Sequence, residues 1–191
     1  MKKTVAIFGG SFNPPHIAHV LAATFVLSME DVDELWVVPC FQHPFAKALA
    51  PYEDRYEMCR QAFAWIPRVK VSELEKELGG ESRTIRTVQH LLDQHPDWRL
   101  RLVIGTDIVS EAPRWHAFDE LQRLAPPIVL VRRGWEHPEM AASVFPEVSS
   151  TQVRAAIHRG DLEWVRAWVP PAVLRYVTAH GLYEVASEDA C

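Results

Sequence analysis

A doubly wound α/β fold, a parallel sheet covered by helices on both faces and closed by a small C-terminal helical cap, is what this sequence predicts. Three observations predict it. Short apolar, β-branched runs alternate along the chain with segments of helical period, which implies parallel strands joined by right-handed crossovers. The first such run ends in Gly9-Gly10 and passes at once into a helical segment, the layout of a buried strand, a tight turn and a crossover helix. The last third turns to short helices with no strand between them.

Residues 3–8, apolar or β-branched after Lys3, make the first strand. Pro14 and Pro15 stand where a fixed φ and a missing N–H are tolerated, at a helix start, and Ala18, Leu21, Ala22, Phe25 and Val26 then recur at helical spacing. Residues 34–38 form a second strand, 39–51 a loop, 52–65 a helix and 68–71 a third strand. A helix over 84–95 is closed by Pro96; strands follow at 99–104 and, after Pro126-Pro127, at 128–131. Three helices complete the chain over 149–158, 161–168 and 171–180, with Gly160 and Gly181 as stops. The expected organisation is one domain over 1–185, with a Rossmann-like core at 1–147, a helical part at 148–185 and a polar tail at 186–191. Ligands of such a sheet bind at the carboxyl ends of its strands.

Composition bounds the function. In 191 residues, 48% are hydrophobic and 24% charged, which excludes a disordered or fibrous chain. Twenty basic against 25 acidic side chains leave a net charge of −5, which argues against nonspecific nucleic-acid binding; a polyanionic ligand must meet a local cluster of cations or N–H groups. The longest stretch of low polarity, 20–27, is far short of the roughly 18 residues of a membrane span, so no membrane association is expected. The N-terminal apolar run is cut by Gly9-Gly10 and Pro14-Pro15 too early for a signal peptide. Cys40, Cys59 and Cys191 have no metal-type spacing, and an odd number of scattered thiols suits a reducing, cytoplasmic location. Cys40 and His43 lack two further ligands nearby and read as half-buried bystanders.

The chemistry concentrates in two clusters. In Gly9-Gly10-Ser11-Phe12-Asn13-Pro14-Pro15-His16-Ile17-Ala18-His19, glycines let the backbone approach a phosphate while the following helix start directs N–H groups at the same place. It lacks the Gly-Lys-Ser/Thr of a Walker loop and the Gly-x-Gly-x-x-Gly of a dinucleotide fingerprint. His16 and His19, three apart, are neighbours on a helix, so both imidazoles can face one ligand. In Val148-Ser149-Ser150-Thr151-Gln152-Val153-Arg154, an ordinary N-cap accounts for one hydroxyl but not for three with an arginine one turn on. Both clusters should meet at the strand ends, where a polyphosphate would lie across them.

These motifs resemble the HxGH nucleotidyltransferases, and among them the bacterial nicotinate mononucleotide adenylyltransferases. The opening run is similar to that family's Gly-Gly-Thr/Ser-Phe-Asp/Asn-Pro-x-His-x-Gly-His, and residues 149–154 to its Ser-Ser/Ala-Thr-x-Ile/Val-Arg. Ile104-Gly105-Thr106-Asp107, Pro113-Arg114-Trp115 and Val131-Arg132-Arg133-Gly134 resemble its middle segment. The resemblance implies transfer of AMP from ATP to nicotinate mononucleotide, giving deamido-NAD and pyrophosphate without a covalent enzyme intermediate. It implies His16 and His19 as catalytic donors to ATP phosphates, supported by Gly9, Gly10, Ser11 and Phe12. Ser149, Ser150, Thr151 and Arg154 would hold the pyrophosphate, and Gly105 and Asp107 the nucleoside of ATP. Mg²⁺ would arrive with the triphosphate, with no metal site made by protein alone.

For the acceptor mononucleotide, the resemblance implies stacking of Trp115 on the pyridine ring, with Lys47, Thr84 and Arg133 as further contacts. Trp36, Trp65, Trp164 and Trp168 read instead as core packing. The sequence departs from the family pattern at Ala18, which replaces a glycine, at Gln42-His43-Pro44-Phe45-Ala46-Lys47 and at Ser82-Arg83-Thr84. The last two segments border the expected acceptor pocket. Nicotinamide mononucleotide or another acceptor therefore stays open, as do a catalytically silent nucleotide-binding module and assembly into a homo-oligomer.

Overall fold

A computed structural model describes residues 2–43, 48–109, 115, 117–131 and 145–184. Strand β1 (Thr4–Gly10) leads to α1 (Ile17–Met29), β2 (Glu34–Pro39), α2 (Tyr52–Phe63), β3 (Val69–Val71), α3 (Leu74–Leu78) and α4 (Thr84–Gln94). Then come β4 (Arg99–Gly105), α5 (Thr106–Val109), α6 (Phe118–Leu124), β5 (Pro127–Leu130), α7 (Ser150–His158), α8 (Leu162–Trp168) and α9 (Pro171–Ala179). The five strands are parallel in the order β3-β2-β1-β4-β5.

Alternation along β1 shows why the sheet needs cover on both sides. Ala6 packs into a core with α1, α2 and the C-terminal helices, through residues such as Val26, Met58, Val153, Val165 and Val177. Val5 and Ile7 enter the opposite core with Leu74, Val88 and Leu121 of α3, α4 and α6. The C-terminal helices thus share the main core of the sheet.

The strand order reverses between β1 and β4, and there the sheet opens. Their ladder ends with Ile7 opposite Leu102, whereas β1 follows β2 to Gly10 opposite Pro39, and β4 follows β5 to Gly105 opposite Leu130. The carboxyl ends of β1 and β4 therefore diverge into a crevice bounded by Gly9-Gly10 and Gly105, the switch-point position where open α/β sheets bind ligands.

Two sequence expectations need correction. Leu21 is 40% exposed, and α1 buries Val20, Ala22, Ala23, Val26 and Leu27 instead. Apolar residues run nearly round this helix, so its period does not select the buried face. Trp65 is 65% exposed, because α2 ends at Phe63 and the indole leaves the helix's apolar stripe, donating to the Ala62 carbonyl at 3.1 Å. Trp36, Trp164 and Trp168 do pack against the cores.

At the amino end of β2, Glu34 lies 2.9 Å from Lys3 Nζ and 3.0 Å from Lys70 Nζ, and accepts the Trp36 indole N–H at 3.1 Å. Burial alone would raise this carboxyl, but hydrogen bonds from Lys3, Trp36 and Lys70 outweigh it and hold the pKa at about 2, against an ordinary 4.5. A pKa lowered by folding stabilises above 4.5, and the contribution is lost as pH falls toward 2. Glu34→Gln is expected to cost about 1–2 kcal/mol at neutral pH after solvent screening. In denaturation curves the gap to wild type should close near that lower pH; an equal gap at both pH values refutes the role of the network.

Candidate active site

The loop leaving β1 is held from beneath by an aromatic anchor. Phe12 adopts a left-handed φ of 46° and is 1% exposed, its ring centroid 5.5 Å from Phe8, 6.2 Å from Phe63 and 5.0 Å from His19. Left-handed backbone costs a non-glycine residue of order 1 kcal/mol or more, which burial of a phenyl ring offsets. A methyl group at Gly10 would meet that ring at 3.2 Å, whereas one at Gly9 would meet nothing within 4 Å. Gly10 is thus fitted to the anchor, and Gly9 fronts open space at the crevice. Since the Phe12 side chain lies in the core, its part in any ATP contact falls to its main chain.

His16 caps α1, and its N–H donates to Nδ1 of His19 at 3.2 Å. The two rings lie 3.8 Å apart between centroids. Accepting at Nδ1 places the proton of a neutral His19 on Nε2, so the ring offers an N–H on its far side. His16 is 3% exposed and His19 half-buried.

The start of α7 is bonded directly to this loop. Ser149 is the N-cap: its Oγ accepts the Gln152 N–H at 3.3 Å, and its own N–H donates to Gln152 Oε1 at 2.8 Å. Ser150 Oγ donates to the Pro14 carbonyl at 2.8 Å. Arg154 donates through Nη1 to the Asn13 carbonyl at 2.7 Å and through Nη2 to Thr151 Oγ1 at 3.3 Å. The hydroxyls therefore have three separate employments: a cap, a tie between segments and a support for the guanidinium. The hydroxyl-guanidinium cluster stands two residues from the imidazole pair.

Asn13 joins still more of the chain. Its Oδ1 accepts the Ala50 N–H at 3.1 Å and the Tyr183 hydroxyl at 2.8 Å. Burial, the largest influence, raises the Tyr183 pKa above that of an ordinary phenol, so the hydroxyl stays protonated as donor. Asn13 was legible as a motif residue; the contribution of Tyr183 from the far end of the chain carries no signal in sequence.

Where the sequence led to an expected acceptor pocket, Ser82 Oγ accepts the Phe41 N–H at 2.8 Å and the Gln42 N–H at 3.2 Å, which places Thr84, at the start of α4, beside the segment leaving β2. Trp115 packs half-buried against the α4/α6 core, with its ring edge-on to Phe118 at 6.1 Å. Gly105 ends β4. Asp107 lies in α5, but its side chain, like Lys47, Arg133 and the tail 186–191, falls outside the described residues. Among the described residues no three His, Cys, Asp or Glu side chains gather to hold a metal ion.

A family model described as cytidylyltransferase-like matches residues 7–156, a span that contains both clusters. A probable nicotinate-nucleotide adenylyltransferase of Anaeromyxobacter dehalogenans is 47% identical over 185 residues, covering 95% of this chain and 97% of its own. The chain belongs to the nicotinate-nucleotide adenylyltransferase family. A probable member of that family from Myxococcus xanthus is 40% identical over 183 residues, with 94% of each chain covered. The solved nicotinic acid mononucleotide adenylyltransferase of Plasmodium falciparum, complexed with NaAD, superimposes with a TM-score of 0.84 over 95% of this chain and 97% of its own. At 19% identity that likeness is one of fold. Membership in the nicotinate-nucleotide adenylyltransferase family makes this chain a nucleotidyltransferase and agrees with the resemblance read from its motifs.

Proposed function

We propose that this protein transfers the adenylyl group of ATP to the phosphate of nicotinate mononucleotide, forming deamido-NAD and pyrophosphate. The observation that carries the reading is the direct bonding of the α7 start to the imidazole loop, Ser150 to Pro14 and Arg154 to Asn13. One triphosphate can then touch both clusters.

In the proposed reaction an oxygen of the acceptor phosphate attacks the α-phosphorus of ATP. The bond from that phosphorus to the bridging oxygen breaks, and pyrophosphate leaves with the electron pair. The protein's work is alignment and charge neutralisation. His16 and His19 donate to ATP phosphate oxygens; the first N–H groups of α7, with Ser149, Ser150, Thr151 and Arg154, receive the pyrophosphate. Ser11 and the Gly9-Gly10 backbone line the cradle, and Gly105 and Asp107 face the nucleoside. Thr84, Trp115, Lys47 and Arg133 serve the acceptor. Imidazoles, hydroxyls and a guanidinium suit a polyphosphate better than they suit Mg²⁺, which prefers oxygen ligands and retained water. In this reading Mg²⁺ comes on the triphosphate and supplies further charge neutralisation. Buried, unbridged Cys59 suits the reducing cytoplasm, and no helix among the described residues is long and apolar enough to cross a membrane.

Purified protein, ATP and Mg²⁺ are expected to release pyrophosphate at least about tenfold faster with nicotinate than with nicotinamide mononucleotide, since a site matched to one polar group leaves buried partners unsatisfied by the other. Equal turnover of the two refutes the nicotinate preference. Turnover of neither, with ATP bound, refutes the transferase reading.

A further inference from the structure

Arg55 projects from α2 into the core with 1% exposure and, among the described residues, forms no ion pair. Burial, the largest influence, pulls its pKa below the usual value, yet a guanidinium remains charged in any protein setting. A buried charge with no carboxylate in direct contact is costly to keep, so its hydrogen bonds show what it is kept for. Nε donates to the Ala50 carbonyl at 2.9 Å, Nη1 to the Ser11 carbonyl at 3.0 Å and Nη2 to the Phe41 carbonyl at 3.5 Å. Its three nitrogens hold two segments at three points: the phosphate loop through Ser11, and both ends of the stretch leaving β2 through Phe41 and Ala50.

Other bonds close the circuit. The Ala50 N–H donates to Asn13 Oδ1, so this one residue is gripped by Arg55 at its carbonyl oxygen and by the phosphate loop at its amide nitrogen. Phe41 is likewise held on both sides, its carbonyl by Arg55 and its N–H by Ser82 Oγ and by Glu75 Oε2 at 3.2 Å. The Tyr52 ring, 5.6 Å from the guanidinium carbon, covers one side of the cation.

We infer that Arg55 is a positioning residue that fixes the ATP half of the site against the acceptor half. The inference rests on the proposed two-substrate reaction. Contacts to each substrate are local to one half, so binding of either alone depends little on Arg55. In-line attack depends on the distance between the halves, and a misplacement of about 1 Å can cost about 100-fold in rate. The guanidinium also sets a positive charge behind a loop that receives a polyanion, in a protein of net charge −5.

Arg55→Lys keeps the charge and replaces three donor nitrogens by one. It is expected to melt cooperatively and to lose about 100-fold in kcat, while KM for ATP moves less than about threefold. The amides of Phe41 and Ala50 should exchange with solvent about tenfold faster together, those of Ile7 and Val37 in the sheet unchanged. If Arg55→Lys does not melt cooperatively, Arg55→Gln supplies the same readings. A folded variant with wild-type kcat, with its whole loss in KM, or with unchanged exchange at Phe41 and Ala50 overturns the inference. Should wild-type protein release no pyrophosphate with any mononucleotide, the proposed reaction falls, and the exchange result alone decides whether Arg55 couples the two segments.

Discussion

His16→Ala is expected to lower kcat by about 10²–10³-fold while ATP binding persists, the loss that follows removal of one preorganised donor to developing charge. In the proposed reaction the imidazole acts on charge that appears as the α-phosphorus is attacked. Ground-state ATP would keep its other proposed contacts along Gly9-Gly10 and the α7 start, so most of the loss should fall on kcat rather than on the dissociation constant. Because His16 is nearly buried and packed on His19, the variant also loses stability, and melting curves must accompany the kinetics. His16→Asn keeps an N–H donor in a smaller side chain and should recover part of the rate. His19→Ala removes both a donor and the acceptor of the His16 N–H, so it should match the kinetic loss and add about 1 kcal/mol of helix-start destabilisation. A folded His16→Ala with an unchanged rate of pyrophosphate release excludes the proposed mechanism, whatever the stability data show.

The features legible in the sequence were those written as local pattern. Parallel strands buried on both faces read as apolar runs, and β1 to β5 fall within two residues of the expected bounds. The largest differences are at Gly9-Gly10, which continue pairing with β2 as strand rather than turning away after Phe8. The short α3, α5 and α6 gave no sequence signal, because four to seven residues span too few turns to establish a period. The residues that hold the site together were harder to find than those expected to touch substrate. Arg55 did leave a trace: with Met58, Cys59 and Ala62 it lies on the buried stripe of α2, and an arginine on an apolar stripe is an anomaly visible in sequence. Its targets, three backbone carbonyls outside the helix, leave none, since main-chain acceptors carry no residue identity.

The bond from Arg154 to Asn13 also changes how the hydroxyl cluster should be understood. In sequence the cluster looked like a set of surplus donors awaiting a phosphate. In the structure its members already bind the loop after β1 and one another, so in the proposed reaction the groups that serve the site are also those that build it. Two of the five guanidinium N–H groups of Arg154 are engaged among the described residues, leaving capacity for phosphate oxygens.

Arg154→Met should therefore show two separable losses. The stem is nearly conserved in shape, but the charge-assisted bond to the Asn13 carbonyl disappears, which is expected to cost about 1.5–3 kcal/mol of stability. The leaving pyrophosphate loses its guanidinium, which should lower kcat/KM by about 10²–10³-fold. Arg154→Lys separates the two, because an ammonium supplies a point charge without the fork that spans Asn13 and Thr151. It should recover part of the activity and little of the stability. Ser150→Ala, which cuts only the neighbouring tie to Pro14, should cost about 1 kcal/mol. Its effect and that of Arg154→Met should fail to add, with a coupling of about 0.5–3 kcal/mol in a double-mutant cycle, since both bonds fix the same helix start to the same loop. Strict additivity would mean that the helix and the loop hold their places independently, and Arg154→Met with kcat/KM within about threefold of wild type would remove the guanidinium from the reaction.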